Sequence, residues 1–417
     1  MTDKPTEGNQ KEKVRAQQIL AGQEVVFSDP LPDVHVASLP IAGCAWIDTE
    51  DGVVLIDTLI SYRAATQTAP RIQGKIKYII YTHGHSDHVT GTAAFLKDNP
   101  VIIANQYLPD RLDRYKMLYQ HRARISAQQF NIPERPEKTL ESLERTIYPT
   151  QTFQGDLTLR LGGKTFELHT ARAETDDVCW VWVPEIRSAF IGDLVIGSFP
   201  NIGNPWKPTR FALDWAKTLE KVRALNPEYL FCNGAGIIYQ GQQAREVLDD
   251  HIEVIRNLHD QVVDCINQKM HITEMIHTVK IPEHLRNSPY LPSSYSRTEF
   301  FVYNVYHWYH GYFDGNPANL LPRPEREVKA ALLELIGDRD RVLDKTRELK
   351  QQGKAQLGLQ VLDVLIGADP ENIEARKLRI ELLEVLGKED SCLMSRNSWV
   401  YFIDEDKEFL KSKGIES

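Results

Sequence analysis

Residues 77–91 of the chain read KYIIYTHGHSDHVTG, the most informative stretch of the sequence. Its first half is a short apolar run of aromatic and β-branched side chains, which predicts a buried strand. The turn after this strand carries three histidines and one aspartate: His83, His85, His88 and Asp87. Neutral imidazole and carboxylate are good ligands for zinc or iron, and a turn at a strand end lets alternate side chains converge. We therefore predict a metal site at the end of this strand.

Length and composition exclude several classes of protein. A chain of 417 residues has room for two or three domains. The net charge of -9 argues against a general nucleic-acid binder, which would present a basic face. No apolar run has the roughly 20 residues of a membrane span, and the N-terminus has no apolar stretch typical of a secretory signal. The five cysteines show no CxxC spacing, so we expect reduced thiols and a cytoplasmic location.

The first two thirds of the chain alternate between predicted strands and helices. Residues 1–24 are polar and charged, which predicts a flexible arm. Over residues 25–272, short strands with helices between them and metal-binding side chains at strand ends indicate an α/β protein with an αββα sandwich. The segment over residues 107–147 is Arg-rich and helix-like. We interpret it either as a lid over the site or as a solvated helical excursion.

The C-terminal third, residues 273–417, has a different character. It begins with a segment rich in aromatic residues and proline and then becomes almost wholly helical. The Gly-Lys pairs at residues 353 and 387 are 34 residues apart, which is the tetratricopeptide period. Only one to two such units are present, too few for a free-standing solenoid. We therefore predict a helical, TPR-like domain that packs on another surface.

The HxHxDH pattern at a strand end resembles the metal motif of the metallo-β-lactamase fold superfamily. This resemblance implies a carboxylate that bridges two metals at the end of a later strand, which is Asp193 here. It also implies a third ligand about ten residues before Pro184, which selects Glu174, with His169 as the alternative. An aspartate in the position of Asp57 supports the ligands in the superfamily, whereas a helix-capping role is the other interpretation.

Glu174, together with LPSSYSRTEFF and GYFDGNPANL, resembles the alkylsulfatase branch of that superfamily. The resemblance implies two divalent metal ions, with zinc favoured and iron as the alternative. It also implies a homodimer formed through the helical domain and a small anionic ester as substrate, with an alkyl sulfate cleaved by a metal-activated water. The family's sulfate-binding asparagine and arginine correspond to Asn201 and Arg210. We assign Asp87 a catalytic role beside its role as a ligand.

The chain departs from this family in two positions. The bridging residue of the family is usually glutamate, whereas this chain has Asp193. The last histidine of the second metal should fall within PEYLFCNGAGIIYQG, residues 227–241, and none is present there. Cys232 or Asn233 could replace it; otherwise the second metal keeps only Asp87, His88 and Asp193. That loss would weaken the second metal, select another metal or leave an open coordination position.

Other functions stay open at this point. The same scaffold could hydrolyse a phosphoester, a lactone or a thioester, and the carboxylate-rich ligand set also suits a di-iron redox centre. A non-catalytic scaffold with a partner-binding helical module is the interpretation from another class. Metal content separates this scaffold from the enzymes, and sulfate release separates the alkylsulfatase from the other hydrolases.

Overall fold

A computed structural model describes residues 24–234 and 236–415 of the protein. They form two compact units. One holds the described residues up to Ile125 together with residues 134–309, and the other holds residues 126–133 and the described residues from His310 onward. The predicted arm over residues 1–24 lies outside the described residues except for Glu24. Residues 273–309 belong to the first unit, and the domain boundary at residue 272 stays a prediction.

The first unit contains a sheet of seven strands in sequential order. Neighbours from β1 to β4 are antiparallel, whereas β4 to β7 run parallel. A tight turn at residues 50–52 joins β3 to β4 in a hairpin. The strands are β1 (Val26–Leu31), β2 (Val34–Leu39), β3 (Ala42–Thr49), β4 (Gly52–Ile56), β5 (Ile76–Ile80), β6 (Val101–Asn105) and β7 (Gln151–Phe153).

A second sheet of six strands follows in the chain, with the order β13-β12-β11-β10-β9-β8. Its neighbouring strands are antiparallel except for the parallel pair β11 and β12. The strands are β8 (Asp156–Leu161), β9 (Lys164–Ala171), β10 (Val178–Val183), β11 (Ser188–Phe190), β12 (Tyr229–Cys232) and β13 (Ile237–Gln240).

The two sheets pack face to face, and helices cover their outer faces. Apolar side chains of both sheets share one core, in which Ile80 and Phe231 are fully buried. The first sheet packs on the helices at residues 62–68 and 108–117. The second sheet packs on the helices at residues 212–224, 242–267 and 298–310. The αββα sandwich predicted from the sequence is therefore confirmed. The helices are α1 (Tyr62–Thr68), α2 (Ser86–Val89), α3 (Leu108–Met117), α4 (Tyr119–Phe130), α5 (Pro136–Glu144), α6 (Ala212–Ala224), α7 (Gln242–Asn267), α8 (Ile272–Thr278) and α9 (Thr298–His310).

The second unit is helical, as predicted. Its helices are α10 (Glu325–Ile336), α11 (Arg339–Gln351), α12 (Ala355–Ala368), α13 (Ile373–Glu389) and α14 (Leu393–Ser412). The carboxylate of Asp406 is fully buried and lies 2.6 Å from both Arg376 Nη1 and Arg379 Nε, which ties α14 to α13. Among the described residues, no helix combines the length and the hydrophobicity that a membrane span requires.

The loop that carries the histidines lies tightly against the segment after β4. Thr58 donates both its backbone N–H and its hydroxyl to the carbonyl oxygen of His88, each at 2.8 Å. A Cβ atom on Gly91 would lie only 1.9 Å from the carbonyl oxygen of Thr58. Because backbone cannot move aside as a flexible side chain can, the contact requires glycine at this position.

Gly91→Ala is therefore expected to lower the free energy of unfolding by about 1–3 kcal/mol, the usual cost of overpacking. Gly387→Ala is the matched control, because Gly387 lies within α13 and has open space around it. Alanine there should raise helix stability by up to about 1 kcal/mol. Urea titration followed by circular dichroism measures both changes. Wild-type stability in Gly91→Ala would contradict the close contact.

Candidate metal centre

The turn after β5 brings the histidines of the HxHxDH motif together. His83 and His88 are buried, and His85 and Asp87 are partly buried. The Nε2 atom of His83 lies 2.8 Å from Nδ1 of His85. The ring centroids of His83 and His88 are 4.1 Å apart. The motif thus converges as its spacing predicts.

The second sheet contributes two carboxylates to the same place. Glu174 lies in the loop between β9 and β10, and its Oε2 atom is 3.4 Å from His85 Nδ1. Asp193 follows β11 and lies between the histidines. Its Oδ2 atom is 3.7 Å from His83 Nε2, and its Oδ1 atom is 3.4 Å from His88 Nε2.

These side chains form two groups that share Asp193. One group holds His83, His85, Glu174 and Asp193, and the other holds Asp87, His88 and Asp193. Within each group, the candidate ligand atoms all lie within 4.8 Å of one another. The structure thus brings together the favoured set of candidate ligands, in which Glu174 rather than His169 is the third ligand.

Buried polar atoms without hydrogen-bond partners indicate which kind of ligand the two groups of side chains could bind. His88 Nε2, Glu174 Oε2 and Asp193 Oδ1 are buried and have no hydrogen-bond partner among the described residues. Such atoms are costly unless something binds them. Imidazole nitrogen and carboxylate oxygen are the donors that zinc and iron take, so the residues present fit divalent metal ions. The alternative ligand, His169, stays outside both groups, because it contacts Asp156 at 2.7 Å and stacks on Trp180.

Asp57 anchors the loop that carries the three histidines of the motif. Its carboxylate accepts hydrogen bonds from the backbone N–H and the hydroxyl of Thr82, each at 2.8 Å, and lies 2.7 Å from His88 Nδ1. A contact of this kind orients the ring and leaves Nε2 for a metal. The helix-capping interpretation of Asp57 is wrong, because the side chain of Ser61 caps α1.

Burial and neighbouring charges set the protonation of the two buried histidines. Burial, followed by the neighbouring imidazoles of His88 and His85, lowers the pKa of His83 well below its usual value. His83 is therefore neutral, as a metal ligand must be. Burial also lowers the pKa of His88, but Asp193 and then Asp57 outweigh it and hold this pKa well above the usual value, so a metal bound at Nε2 would displace a proton.

Asn201 and Arg210, predicted to bind substrate, both contact Glu174. The Oε1 atom of Glu174 accepts a hydrogen bond from Asn201 Nδ2 at 2.8 Å and another from Arg210 Nη1. Burial raises the pKa of Glu174, but Arg210 and then His85 hold it well below the usual value. The glutamate is thus an oriented carboxylate whose Oε2 atom faces the histidines. A contact of Asn201 or Arg210 with substrate stays a prediction.

The sequence analysis missed two residues that hold this site. Asn304 of α9 accepts a hydrogen bond from Arg210 N at 2.7 Å and donates one to Arg210 O at 3.0 Å. Asp177 accepts from Gly84 N at 2.8 Å, and its other oxygen lies 2.7 Å from Arg111 Nε. The acidic run around Asp177 was a weak signal for a role near the site. The sequence gave no signal for Asn304, because this residue is 94 positions away from Arg210 along the chain.

The position expected to carry the last histidine is occupied by a tight turn. Asn233 has a φ of 50°, and a Cβ atom on Gly234 would lie 3.2 Å from His88 Cε1. Burial, with Asp193 as a second cause, raises the pKa of Cys232 well above its usual value. Cys232 belongs to neither of the groups described above. The second group therefore has three imidazole or carboxylate ligands among the described residues, and a role of Asn233 as a further ligand stays a prediction.

A cavity of about 190 Å³ lies beside the first group of ligands. His85 and Glu174 form part of its wall. Residues 111–125, from the insertion that was interpreted as a lid or a solvated excursion, form another part. The loop at residues 206–211 completes it. The insertion thus contributes to a pocket at the metal-binding residues, and its role as a moving lid stays a prediction.

Two protein-family models match the chain. The model described as the metallo-beta-lactamase superfamily matches residues 43–234, and that of alkyl sulfatase dimerisation matches residues 271–408. The sequence is 26% identical over 367 residues to a linear primary-alkylsulfatase of a Pseudomonas species, with coverage of 82% of this chain and 69% of the relative. It is 24% identical over 395 residues to the alkyl/aryl-sulfatase BDS1 of Saccharomyces cerevisiae, with coverage of 88% and 61%.

A solved structure shares the fold along nearly the whole chain. The stereoselective inverting sec-alkylsulfatase Pisa1 from a Pseudomonas species superimposes with a TM-score of 0.81 at 22% identity. The match covers 95% of this chain and 70% of that one. The chain thus carries a metallo-β-lactamase superfamily region at residues 43–234, followed by an alkyl sulfatase dimerisation region at residues 271–408.

Proposed function

We propose that the protein is a metal-dependent hydrolase of alkyl sulfates or similar small anionic esters. The observation that carries this proposal is the pair of ligand groups sharing Asp193 beside a cavity lined with cationic side chains. The names of the similar proteins, a linear primary-alkylsulfatase and an alkyl/aryl-sulfatase among them, support the sulfate ester as the substrate class. The cationic lining favours a phosphoester as the second candidate over uncharged lactones and thioesters.

The two ligand groups would hold two divalent ions, for which zinc is favoured and iron is the alternative. When bound, such ions supply a Lewis acid and lower the pKa of water, which makes water a nucleophile near neutral pH. Burial raises the pKa of Asp87, but His88 outweighs it and holds this pKa below the usual value. Asp87 is therefore a carboxylate that can accept a hydrogen bond from the attacking water and orient it.

Arg210 and Asn201 keep Glu174 ionised and oriented. Arg210 also has a donor, Nε, without a hydrogen-bond partner among the described residues. A sulfate oxygen would satisfy this donor, because charged donors bind anionic oxygens strongly. We propose that Arg210 acts on both Glu174 and the sulfate, and that Asn201 fixes the position of Glu174.

The dimerisation region supports a homodimer. In α10, Val328, Leu332 and Leu335 recur at helical spacing, and their side chains are 45%, 43% and 84% exposed. The other face of α10 packs on the core of the second unit through Leu333 and Ile336. We propose that the exposed stripe binds a second copy of the chain, since α10 lies within the matched dimerisation region.

The amount of bound metal is expected to depend on Asp193, which belongs to both groups. Wild-type protein reconstituted with zinc should retain two equivalents per chain, and Asp193→Ala should retain less than one, because both groups lose a ligand. His169→Asn is the control, since His169 lies outside both groups. Elemental analysis after gel filtration gives the content. A wild type that binds neither zinc nor iron would contradict the metal centre.

Arg210→Ala is expected to lower kcat/KM for hexyl sulfate by about 10²–10³-fold, the usual effect of losing one donor to a developing charge. Arg223→Ala is the control, because Arg223 forms an ion pair with Asp249 at 2.7 Å on α7. Released sulfate is measured by ion chromatography together with bound metal. An unchanged kcat/KM would contradict the role of Arg210, and phosphate release from hexyl phosphate without sulfate release would favour the phosphoester.

The double variant Leu332→Lys, Leu335→Lys is expected to be monomeric, because two charges in the apolar stripe would be desolvated in the dimer. Leu357→Lys is the control, since Leu357 is 47% exposed on α12 and lies outside the stripe. Light scattering after gel filtration gives the mass of each variant. A dimer of the double variant would show that the stripe is not the interface.

A further inference from the structure

The cavity beside the metal-binding residues has more positive than negative side chains. Two carboxylates line it, those of Glu174 and Asp176. The cations that line it are Arg111, Arg114, Arg122, Lys207 and Arg210. The cavity thus has five positive side chains and two negative ones. Such an excess of positive charge is unusual in a partly enclosed space, because a charged group removed from water is costly unless it is paired.

Three of these cations have carboxylate partners. Arg111 contacts Asp176, and its Nε atom lies 2.7 Å from Asp177. Arg210 contacts Glu174. Arg114 lies 3.9 Å from Asp176, at the limit of an ion pair. The excess charge therefore resides on the other two cations.

Arg122 and Lys207 form no ion pair with a carboxylate of the described residues. The guanidinium of Arg122, from α4, stacks on the ring of Tyr115 at 3.4 Å, and its buried Nε atom has no hydrogen-bond partner within the described part of the chain. Lys207 lies on the loop before α6, where Asn204 accepts hydrogen bonds from the backbone of Trp206 and Lys207. Both residues are partly buried.

The electrostatics agree with this geometry. Burial lowers the pKa of Lys207 to about 7, and the nearby charges of Arg122 and Arg210 add to the shift. Burial also lowers the pKa of Arg122. Two neighbouring cations without a counter-charge destabilise each other, and an anion bound between them would remove that cost.

A sulfate monoester alone does not account for this arrangement. It carries one negative charge, and Arg210 beside Glu174 is already available to it near the metal ligands. A second anionic group on the same substrate would match Arg122 and Lys207. The cavity volume of about 190 Å³ is below the roughly 300–1,000 Å³ of pockets for drug-sized ligands, which favours a short connecting chain. Leu118, Ile125 and Trp206 give this chain an apolar wall.

We propose that the cavity binds a carboxylate on the alcohol part of the ester, so that the substrate is the sulfate ester of a short hydroxy acid. Arg122 and Lys207 bind that carboxylate, and the metal-binding residues face the sulfate. This inference rests on the proposed function and specifies its substrate class.

The test compares the sulfate esters of ω-hydroxyhexanoate and of its amide, which differ in charge but hardly in size. The wild type should prefer the carboxylate ester by at least about tenfold in kcat/KM, since hydrogen bonds to charged groups are among the stronger ones. In Lys207→Gln and Arg122→Gln the preference should fall towards one. Lys221→Gln, at an exposed position on α6, should keep the wild-type preference.

The outcomes separate this proposal from the proposed function. Hydrolysis of the amide ester without a preference for the acid would overturn the carboxylate site and leave the sulfatase intact. An equal loss on both esters in the two variants would also overturn it, because the cations would then serve the sulfate. If neither ester is hydrolysed, calorimetry with ω-hydroxyhexanoate and its amide decides. Tighter binding of the acid, lost in both variants, supports the site, and equal binding overturns it.

Discussion

The metal centre depends on the hydrogen bonds that the buried carboxylate of Asp57 forms with the loop of histidines. This carboxylate accepts two hydrogen bonds from Thr82 and contacts His88, so it fixes the residue before the motif and the last histidine within it. The backbone of Asp57 also adopts a φ of 57° directly after β4, an uncommon conformation for a residue other than glycine. Such strain persists only where the surroundings over-determine it, as these three contacts do here. The parallel strands β4 and β5 supply the rigid frame, because both end at the edge where the ligands converge.

A second constraint comes from charge. Glu174 places a buried carboxylate beside the histidines, and such a group needs compensation. Arg210 and Asn201 provide it on one oxygen, which leaves the other oxygen for a metal. Arg210 is held in turn by Asn304, whose side chain binds both backbone groups of that residue. A helix from residues 271–408, the matched dimerisation region, thus fixes a loop next to the candidate ligands.

The cavity and the metal centre share side chains and have opposite charge. The ligand groups concentrate carboxylates, whereas the adjoining cavity concentrates arginine and lysine. Divalent ions would neutralise the first cluster, and an anionic ligand would neutralise the second. This separation would orient an anionic substrate, because its charged groups would be attracted to one side of the ligand cluster. The insertion over residues 107–147 matters in this respect, since it contributes Arg111, Arg114 and Arg122 to the cavity.

The sandwich, the helical C-terminal region and the histidine cluster could be predicted from the amino-acid sequence. These features depend on local patterns: apolar runs of strand length, helical periodicity, and four ligands within six positions. Glu174 and Asp193 could be proposed only through resemblance to a family, because their distance from the motif along the chain carries no spatial information. The folded structure was needed to show that Asn201 and Arg210 contact Glu174, that Asn304 anchors Arg210, and which cations have carboxylate partners. Pairing between charged side chains depends on distances across elements far apart in sequence, and no periodicity encodes those distances.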